Sequence, residues 1–504
     1  MFNSIPLLTI LALLPLVGAL VLLFTKGHIG KLVGLGFALT TTLVGVLAFV
    51  LSRSSGLIES TPWIRPIGAY YALEFSGMSA ILVLLTVILV PVVFIAEWNV
   101  GERPGSRWST RSFFALALAM QGLALYVFMA SDVLLFYIAF EATLIPMYFM
   151  VAGWGGDRRG PAALKFLLYS LAGGLVMLVA VAGLYAVGAE QGQISFLFSD
   201  LAELDLSGTV GKWLFAGFFF AFAVKAPMAG LHTWLPDAAE QATPGTSTLL
   251  VGVLDKIGTF GMIKVCLMVF PEASAWATPV ILVWAVVSVV YGAFMAMGSR
   301  DLLRFVSYTS VSHFGFMVFG IFAMTTQSLS GSIFYMLNHG LSSAALFLVV
   351  GFMVHRRGTA EISAFGGVQK VAPVMAGLLL LAGLATLSLP GFGSFVGEFF
   401  TMAGAWQRYP IQTAVITIGM VLSAVYVLSM YRRTMTGPVT PQVAEHIRTD
   451  LDTREKAAVV PLIILMLALG FFPTPLLSVA DETSVAVMSS SGVTDPAPLL
   501  QEGN

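Results

Sequence analysis

Apolar residues along this chain come in long blocks. Each block is about as long as a bilayer-crossing helix, roughly 20 residues. Fourteen can be marked, near 5–24, 32–51, 75–96, 113–130, 132–151, 162–187, 213–233, 249–270, 278–298, 303–324, 331–353, 372–404, 411–431 and 457–477. In hydrocarbon a backbone must satisfy its own hydrogen bonds, so blocks of this kind close into helices. The predicted fold class is an all-α integral membrane protein with about 14 transmembrane helices.

Two blocks break the pattern. The seventh runs through FAVKAPMAGLHTWLPDA, where Pro227 and Gly230 follow Lys225. The twelfth carries LSLPGFGSFVGEFF, with Pro390, Gly391 and Gly393 ahead of Glu398. Proline removes a backbone donor and clashes with the preceding turn, so both helices should be interrupted. They lie five spans apart, and an odd separation reverses direction across the membrane. Helices 4–8 and 9–13 are therefore expected to form an inverted repeat, with its paired interruptions marking a transport site. The chain divides accordingly into residues 1–112 (helices 1–3), 113–270 (first repeat), 271–434 (second, inverted repeat) and 435–504 (a loop, helix 14 and a polar tail expected to be loosely ordered).

Composition agrees. Of 504 residues, 58% are hydrophobic and 10% charged, and mean hydropathy is +0.91, whereas soluble chains carry roughly 25% charged residues. A net charge of -1 gives no basic footprint for nucleic acid. The single cysteine, Cys266, sits in an apolar run and reads as core; one thiol cannot hold an iron–sulfur cluster, which takes about four. No glycine-rich nucleotide fingerprint is present. The first block lacks a basic leader and reads as a membrane helix. Loops after odd-numbered spans hold seventeen basic residues, from Lys26 to Lys456; those after even-numbered spans hold four, Arg53, Arg65, Lys212 and Arg408. The positive-inside rule then puts the odd loops in the cytoplasm and both termini outside.

Charges within the spans carry the functional signal, since an intramembrane ionisable group is costly and by default functional. Glu141 lies near the middle of the fifth span and is read as the partner of Lys225. Burial pulls a lysine toward neutrality and a carboxylate pulls it back, so such a lysine can gain or lose a proton as its partner moves. Lys256 is the relay candidate in the eighth span. Its neighbour Asp255 should point about 100° away, and Lys264 reads as a lysine reaching toward the interface. His313 and His339, in the tenth and eleventh spans, titrate near neutrality and suit a relay among nearby hydroxyls. Lys165 opens the sixth span and reads equally as a boundary lysine. His232, Asp237 and Glu240 follow the break in the seventh. In span order the series is Glu141, Lys225, Lys256, His313, Glu398, with a carboxylate at each end, which is what a proton wire needs.

SDVLLFYIAFEATLIPMY, FAVKAPMAGLHTWLPDA, SYTSVSHFGFM, HGLSSAALFLVVG and LPGFGSFVGEF together resemble the antiporter-like membrane subunits of proton-pumping NADH:quinone oxidoreductase (complex I), over nearly the whole chain. Glu398, where sister L and N subunits carry lysine, makes the chain similar to the M type, the mitochondrial subunit 4 family. The resemblance implies a fourteen-helix fold, a Glu141–Lys225 pair, a central Lys256, a terminal Glu398, and family positions at Lys165, His313 and His339. It implies no cofactor on this chain, with NAD, FMN, iron–sulfur clusters and quinone in partner subunits, and L- and N-type neighbours and lipids as partners in a bacterial inner membrane. Subunits of multisubunit Na⁺/H⁺ antiporters share these motifs, and a structural subunit of a hydrogenase-type complex is a further alternative. One departure stands out. The family usually reads LPDAHAEAPT after helix 7, whereas here Ala239 occupies the histidine position and the order is Thr243-Pro244.

Overall fold

Each long apolar block closes into helix, and the breaks fall where proline and glycine sit. A computed structural model describes residues 6–53 and 56–496. Residues 1–5, 54–55 and 497–504, which include Ile5 of the first predicted span and the end of the predicted tail, lie outside the described residues. The chain opens with α1 (Leu7–Phe24) and α2 (Gly27–Ser52), then a hairpin of β1 (Leu57–Ile64) and β2 (Ala69–Phe75), then α3 (Gly77–Ala96) and α4 (Thr110–Met129). Helices α5 (Val133–Ala142) and α6 (Leu144–Gly153) meet at Thr143, followed by α7 (Arg159–Glu190) and a single turn, α8 (Phe198–Leu201). The seventh predicted span is split into α9 (Gly208–Lys225) and α10 (Trp234–Gln241). The eighth holds α11 (Pro244–Leu249) and α12 (Lys256–Gly261), each followed by a π-helical turn, Leu250–Leu254 and Met262–Leu267. Then come α13 (Pro271–Gly298), α14 (Leu302–Phe322) and α15 (Thr326–Arg357), all unbroken. The twelfth predicted span is α16 (Pro373–Thr386) plus α17 (Gly393–Trp406), and α18 (Pro410–Met435), a short α19 (Pro441–His446), α20 (Thr453–Phe471) and α21 (Thr474–Ser490) complete the order.

Among the described residues, ten helices are long and apolar enough to cross a bilayer, or eleven if α20 and α21, bent by 69°, form one span. Fourteen unbroken spans are not reached, because the seventh, eighth and twelfth blocks are cut by their breaks and π turns. The mostly helical fold carries one addition, and one expectation is corrected. The chain is not purely helical: β1 and β2 pair antiparallel from Leu57–Phe75 to Ile64–Ala69, with a bulge between Pro62 and Ile64. The polar tail is not loose through Ser490, since α21 continues well past Asp481. Thr483, on α21, accepts from the Met78 amide at the start of α3 (2.8 Å).

Remote side chains satisfy several helix ends, whose first amides have no partner inside the helix. Glu59 of β1 accepts from the Leu8 and Thr9 amides at the start of α1 (2.7 and 3.1 Å). Asp132 caps α5 through Leu134 and Leu135, and Asp301 caps α14 through Leu303 and Arg304. These two aspartates share a further feature. Asp132 forms an isolated antiparallel bridge with Leu197, after α7, and Asp301 forms one with Glu361, after α15. The same local construction thus occurs five predicted spans apart. Asp452 and Glu455 form a capping box at the start of α20, and Glu455 also holds Arg356 at 2.6 Å.

Loop contacts sort into two sets. Lys31–Glu102, Arg103–Glu97, Arg158–Glu240 and Arg356–Glu455 join loops that follow odd-numbered predicted spans. Arg53–Glu482 and the Thr326 amide on Asp495 join connections that follow even-numbered ones, including the segment after α21. The most enclosed helices are α14 and α15, while α1, α2, α7 and α18 leave broad apolar faces uncovered. Gly292 and Gly315 let α13 and α14 approach closely, since a Cβ on either would press into the facing backbone.

Candidate functional site

Lys225 is the last residue of α9, buried to 1% exposure just before Pro227 stops the helix. Its Nζ lies over the Phe140 ring (5.1 Å) and the Phe166 ring (5.7 Å) and has no hydrogen-bond partner among the described residues. Ring faces attract an ammonium but leave its protons unbonded. Glu141, half-buried on α5, lies within electrostatic reach of Lys225 but forms no ion pair with it. Its carboxylate rests against Gly174 of α7, and its Oε1 is buried and unbonded. The expected pair is therefore present as neighbours, with a gap between the charges.

Past Lys225, and separated from it by a gap, a line of neighbouring polar groups starting at Lys256 runs through the most enclosed part of the molecule. Lys256, fully buried at the start of α12, places Nζ 3.0 Å from the Val251 carbonyl and 2.8 Å from His339 Nδ1. It also sits over the Phe314 ring (4.6 Å). The His339 and His313 rings are 5.3 Å apart, edge to face, and His339 Nε2 has no partner. His313 Nε2 lies 3.3 Å from the Tyr426 hydroxyl, and its ring is 6.0 Å from Tyr335. Tyr335 donates to Glu398 Oε1 at 2.5 Å. From Lys256 onward every named group is at most 2% exposed. The order differs from span order: Lys256 meets His339 first and His313 second. His339 is thus in the line, in contact with the lysine.

Other predicted residues fall elsewhere. Lys165, about one-third exposed, pairs with Asp237 at 2.7 Å; Arg304 joins Asp237 (2.7 Å) and Glu240 (2.8 Å), and Arg158 also reaches Glu240. This cluster ties α7, α10 and α14 together on the odd-loop side, apart from the buried line. Lys264 pairs with Glu74 of β2 at 3.0 Å. That ammonium holds the Glu74 carboxyl down at about 2, against the opposing effect of partial burial. His232 accepts from the Gly230 amide inside the break and packs on Tyr291. The unusual Thr243-Pro244 order has a local cause: Thr243 caps α11 through the Thr246 amide (3.2 Å), and Pro244 takes the first helical position, where a missing N–H costs nothing.

Sequence reasoning missed three members. Tyr335 lies four residues before His339 and so shares its face on α15, a spacing readable from sequence. Tyr426, on α18, gave no signal. Helical spacing turns Asp255 away from Lys256, because adjacent helical residues diverge by about 100°. That holds for a regular α-helix, but the Asp255 amide bonds to the Leu250 carbonyl in a π-type step (3.0 Å), and the carboxylate lies within electrostatic reach of both Lys256 and Lys225.

With this geometry in place, comparisons with known proteins agree on one kind of membrane subunit. Residues 130–423 match the family described as NADH:quinone oxidoreductase/Mrp antiporter, TM. The chain is 43% identical over 534 residues to NADH-quinone oxidoreductase subunit M of Mycobacterium tuberculosis (strain ATCC 25618 / H37Rv), covering 98% of this chain and 96% of the relative. It superposes on a chain of respiratory complex I from Thermus thermophilus with bound NADH at a TM-score of 0.87 and 30% identity, covering 96% of this chain and 100% of that one. A chain of the Mrp complex from Dietzia sp. shares the fold, with a TM-score of 0.84 at 19% identity, covering 97% of this chain.

Proposed function

This chain belongs to the NADH:quinone oxidoreductase/Mrp antiporter family of membrane subunits, and on that premise we propose that it is a proton-translocating subunit of an NADH:quinone oxidoreductase. The observation that carries the reading is the buried line from Lys256 to Glu398, made of neighbouring groups that bind and release protons, with Lys225 buried ahead of it. Such groups are expensive to bury and have no packing value that apolar residues could not supply. NAD, FMN, iron–sulfur clusters and quinone would belong to partner subunits, and the redox step there would reach this chain as a displacement of charge.

In this mechanism, movement of Glu141 away from Lys225 raises the cost of the ammonium, and the lysine gives up its proton. The proton passes through Lys256 to His339, then His313, and reaches Glu398 through the Tyr335 and Tyr426 hydroxyls. Glu398 ends the line as the releasing carboxylate. Lys165 acts outside the line, holding α7 to α10 near the break. The matching bridges at Asp132 and Asp301, with the breaks after Lys225 and before Glu398, support an inverted repeat over 113–270 and 271–434. The basic residues put the odd loops in the cytoplasm and both termini outside.

The test is proton pumping in membrane vesicles bearing Glu141→Gln, with NADH oxidation followed in the same sample. The expected result is loss of both, at least fivefold, with the complex still assembled. Parental pumping and oxidation would remove Glu141 from the mechanism. A sodium-dependent gradient with no NADH-driven one, in the parent itself, would assign the chain to a Na⁺/H⁺ antiporter.

A further inference from the structure

Asp255 is 0% exposed, and neither carboxylate oxygen has a hydrogen-bond partner among the described residues. An unpartnered buried carboxylate is among the most costly groups a protein can hold, so its neighbours decide its role. Those neighbours are the two lysines. Asp255 shares a helix face with Gly258, three residues on. A Cβ at Gly258 would sit 2.5 Å from the Ala226 nitrogen and 2.6 Å from the Phe222 carbonyl oxygen. That face therefore abuts the end of α9, directly beside Lys225. The π turn Leu250–Leu254 ends just before Asp255, and the next residue, Lys256, is turned to His339, so that Asp255 lies within electrostatic reach of both lysines. Single π turns interrupting a helix are frequent at functional sites.

Charge balance points the same way. Without Asp255, the first half of the line would hold two buried ammoniums and one half-buried carboxylate, Glu141. With it, the two signs balance. The line also has a gap between Lys225, whose Nζ has no hydrogen-bond partner among the described residues, and Lys256, which is turned to the histidines.

We propose that Asp255 is a proton carrier and the shared counter-charge of Lys225 and Lys256, filling the step between them. When Glu141 withdraws, Lys225 turns to Asp255. The N–H bond at Lys225 Nζ breaks and an O–H bond forms on the carboxylate, leaving a neutral amine and a neutral acid. Once Lys256 has passed its own proton to His339, Asp255 protonates the Lys256 amine and returns to a carboxylate. No other reactant is needed. This assignment rests on the proton-pumping reading above and adds a residue to it.

The experiment compares Asp255→Asn, Asp255→Glu and Glu141→Gln complexes in vesicles, scoring assembled complex on native gels and proton pumping per assembled complex. Asparagine keeps the shape but neither holds the charge nor carries the proton. Asp255→Asn should cut pumping per complex at least fivefold, and Asp255→Glu should recover half or more of the parental rate. A purely structural aspartate would lower the amount of complex and leave pumping per complex unchanged, which overturns the assignment. If Asp255→Asn pumps normally while Glu141→Gln fails, this inference falls and the pumping reading stands. If both pump normally, the pumping reading falls with it. Should Asp255→Asn not assemble, infrared difference spectra of the parent during turnover decide the matter: an aspartate carboxyl band shifted by Asp255→Glu supports the assignment, and its absence overturns it.

Discussion

At the scale of single residues, the proposed line runs through hydroxyls as well as charged groups. The Tyr335 hydroxyl is the group in hydrogen-bond contact with Glu398 (2.5 Å), and charge-assisted bonds of this kind are strong. Tyr335→Phe removes that oxygen and little else. We expect assembly to hold and pumping per complex to fall about tenfold, which corresponds to about 1.4 kcal/mol in the transfer barrier; vesicle acidification assays would read it. Glu74 offers a separate test away from the line. Lys264 holds its carboxyl at about 2, below the ordinary 4.5, so the contribution of the pair to stability is complete above 4.5 and is lost as pH falls toward 2. Glu74→Gln should therefore lower the thermal midpoint of the solubilised complex at pH 7, with the gap to the parent closing below about 4.5. A constant gap across that range would contradict the assignment.

At the scale of elements, the interrupted helices do the positioning, and they are held by close backbone contact. Gly258→Ala would gain up to about 1 kcal/mol in helix propensity. It would also drive a Cβ into the Ala226 nitrogen and the Phe222 carbonyl, backbone atoms that cannot swing aside. Overpacking of this kind costs about 1–3 kcal/mol, so the net effect is destabilising, and native gels should show less assembled complex. Much of this level was legible in the sequence. The breaks at Pro227 and Pro390 were, because proline and glycine act locally, and so were Lys225, Lys256 and Glu398, because charge in an apolar block is conspicuous. Other features were not. The β-hairpin lies in a short polar connection where no apolar period marks a membrane span. The π turns around Lys256 leave no trace in composition, and without them Asp255 looked misdirected. His339 was named as a candidate, but its contact with Lys256 joins residues 83 positions apart, a distance helical spacing does not reach. The capping box at Asp452 and Glu455 is readable in the sequence as Asp-x-x-Glu.

At the scale of the whole molecule, the uneven basic residues and the two sets of loop contacts predict one orientation. The chain offers a convenient way to measure it, because its single cysteine, Cys266, is fully buried. Cysteines introduced at Arg448 and Arg408 should react with an impermeant thiol reagent from opposite sides, Arg448 from the cytoplasm and Arg408 from outside. Labelling of both from the same side would refute the alternating arrangement. The near-complete enclosure of α14 and α15 has a mechanical consequence. Close-packed surroundings resist any slide or roll of these helices, because every neighbour would have to yield at once. The imidazoles and phenol they carry can still turn, and side-chain reorientation is far quicker than collective helix motion. On the proposed reading this half of the molecule would work as a fixed track and not as a piston, with cargo handed over between stationary posts and no stroke of the scaffold setting its pace.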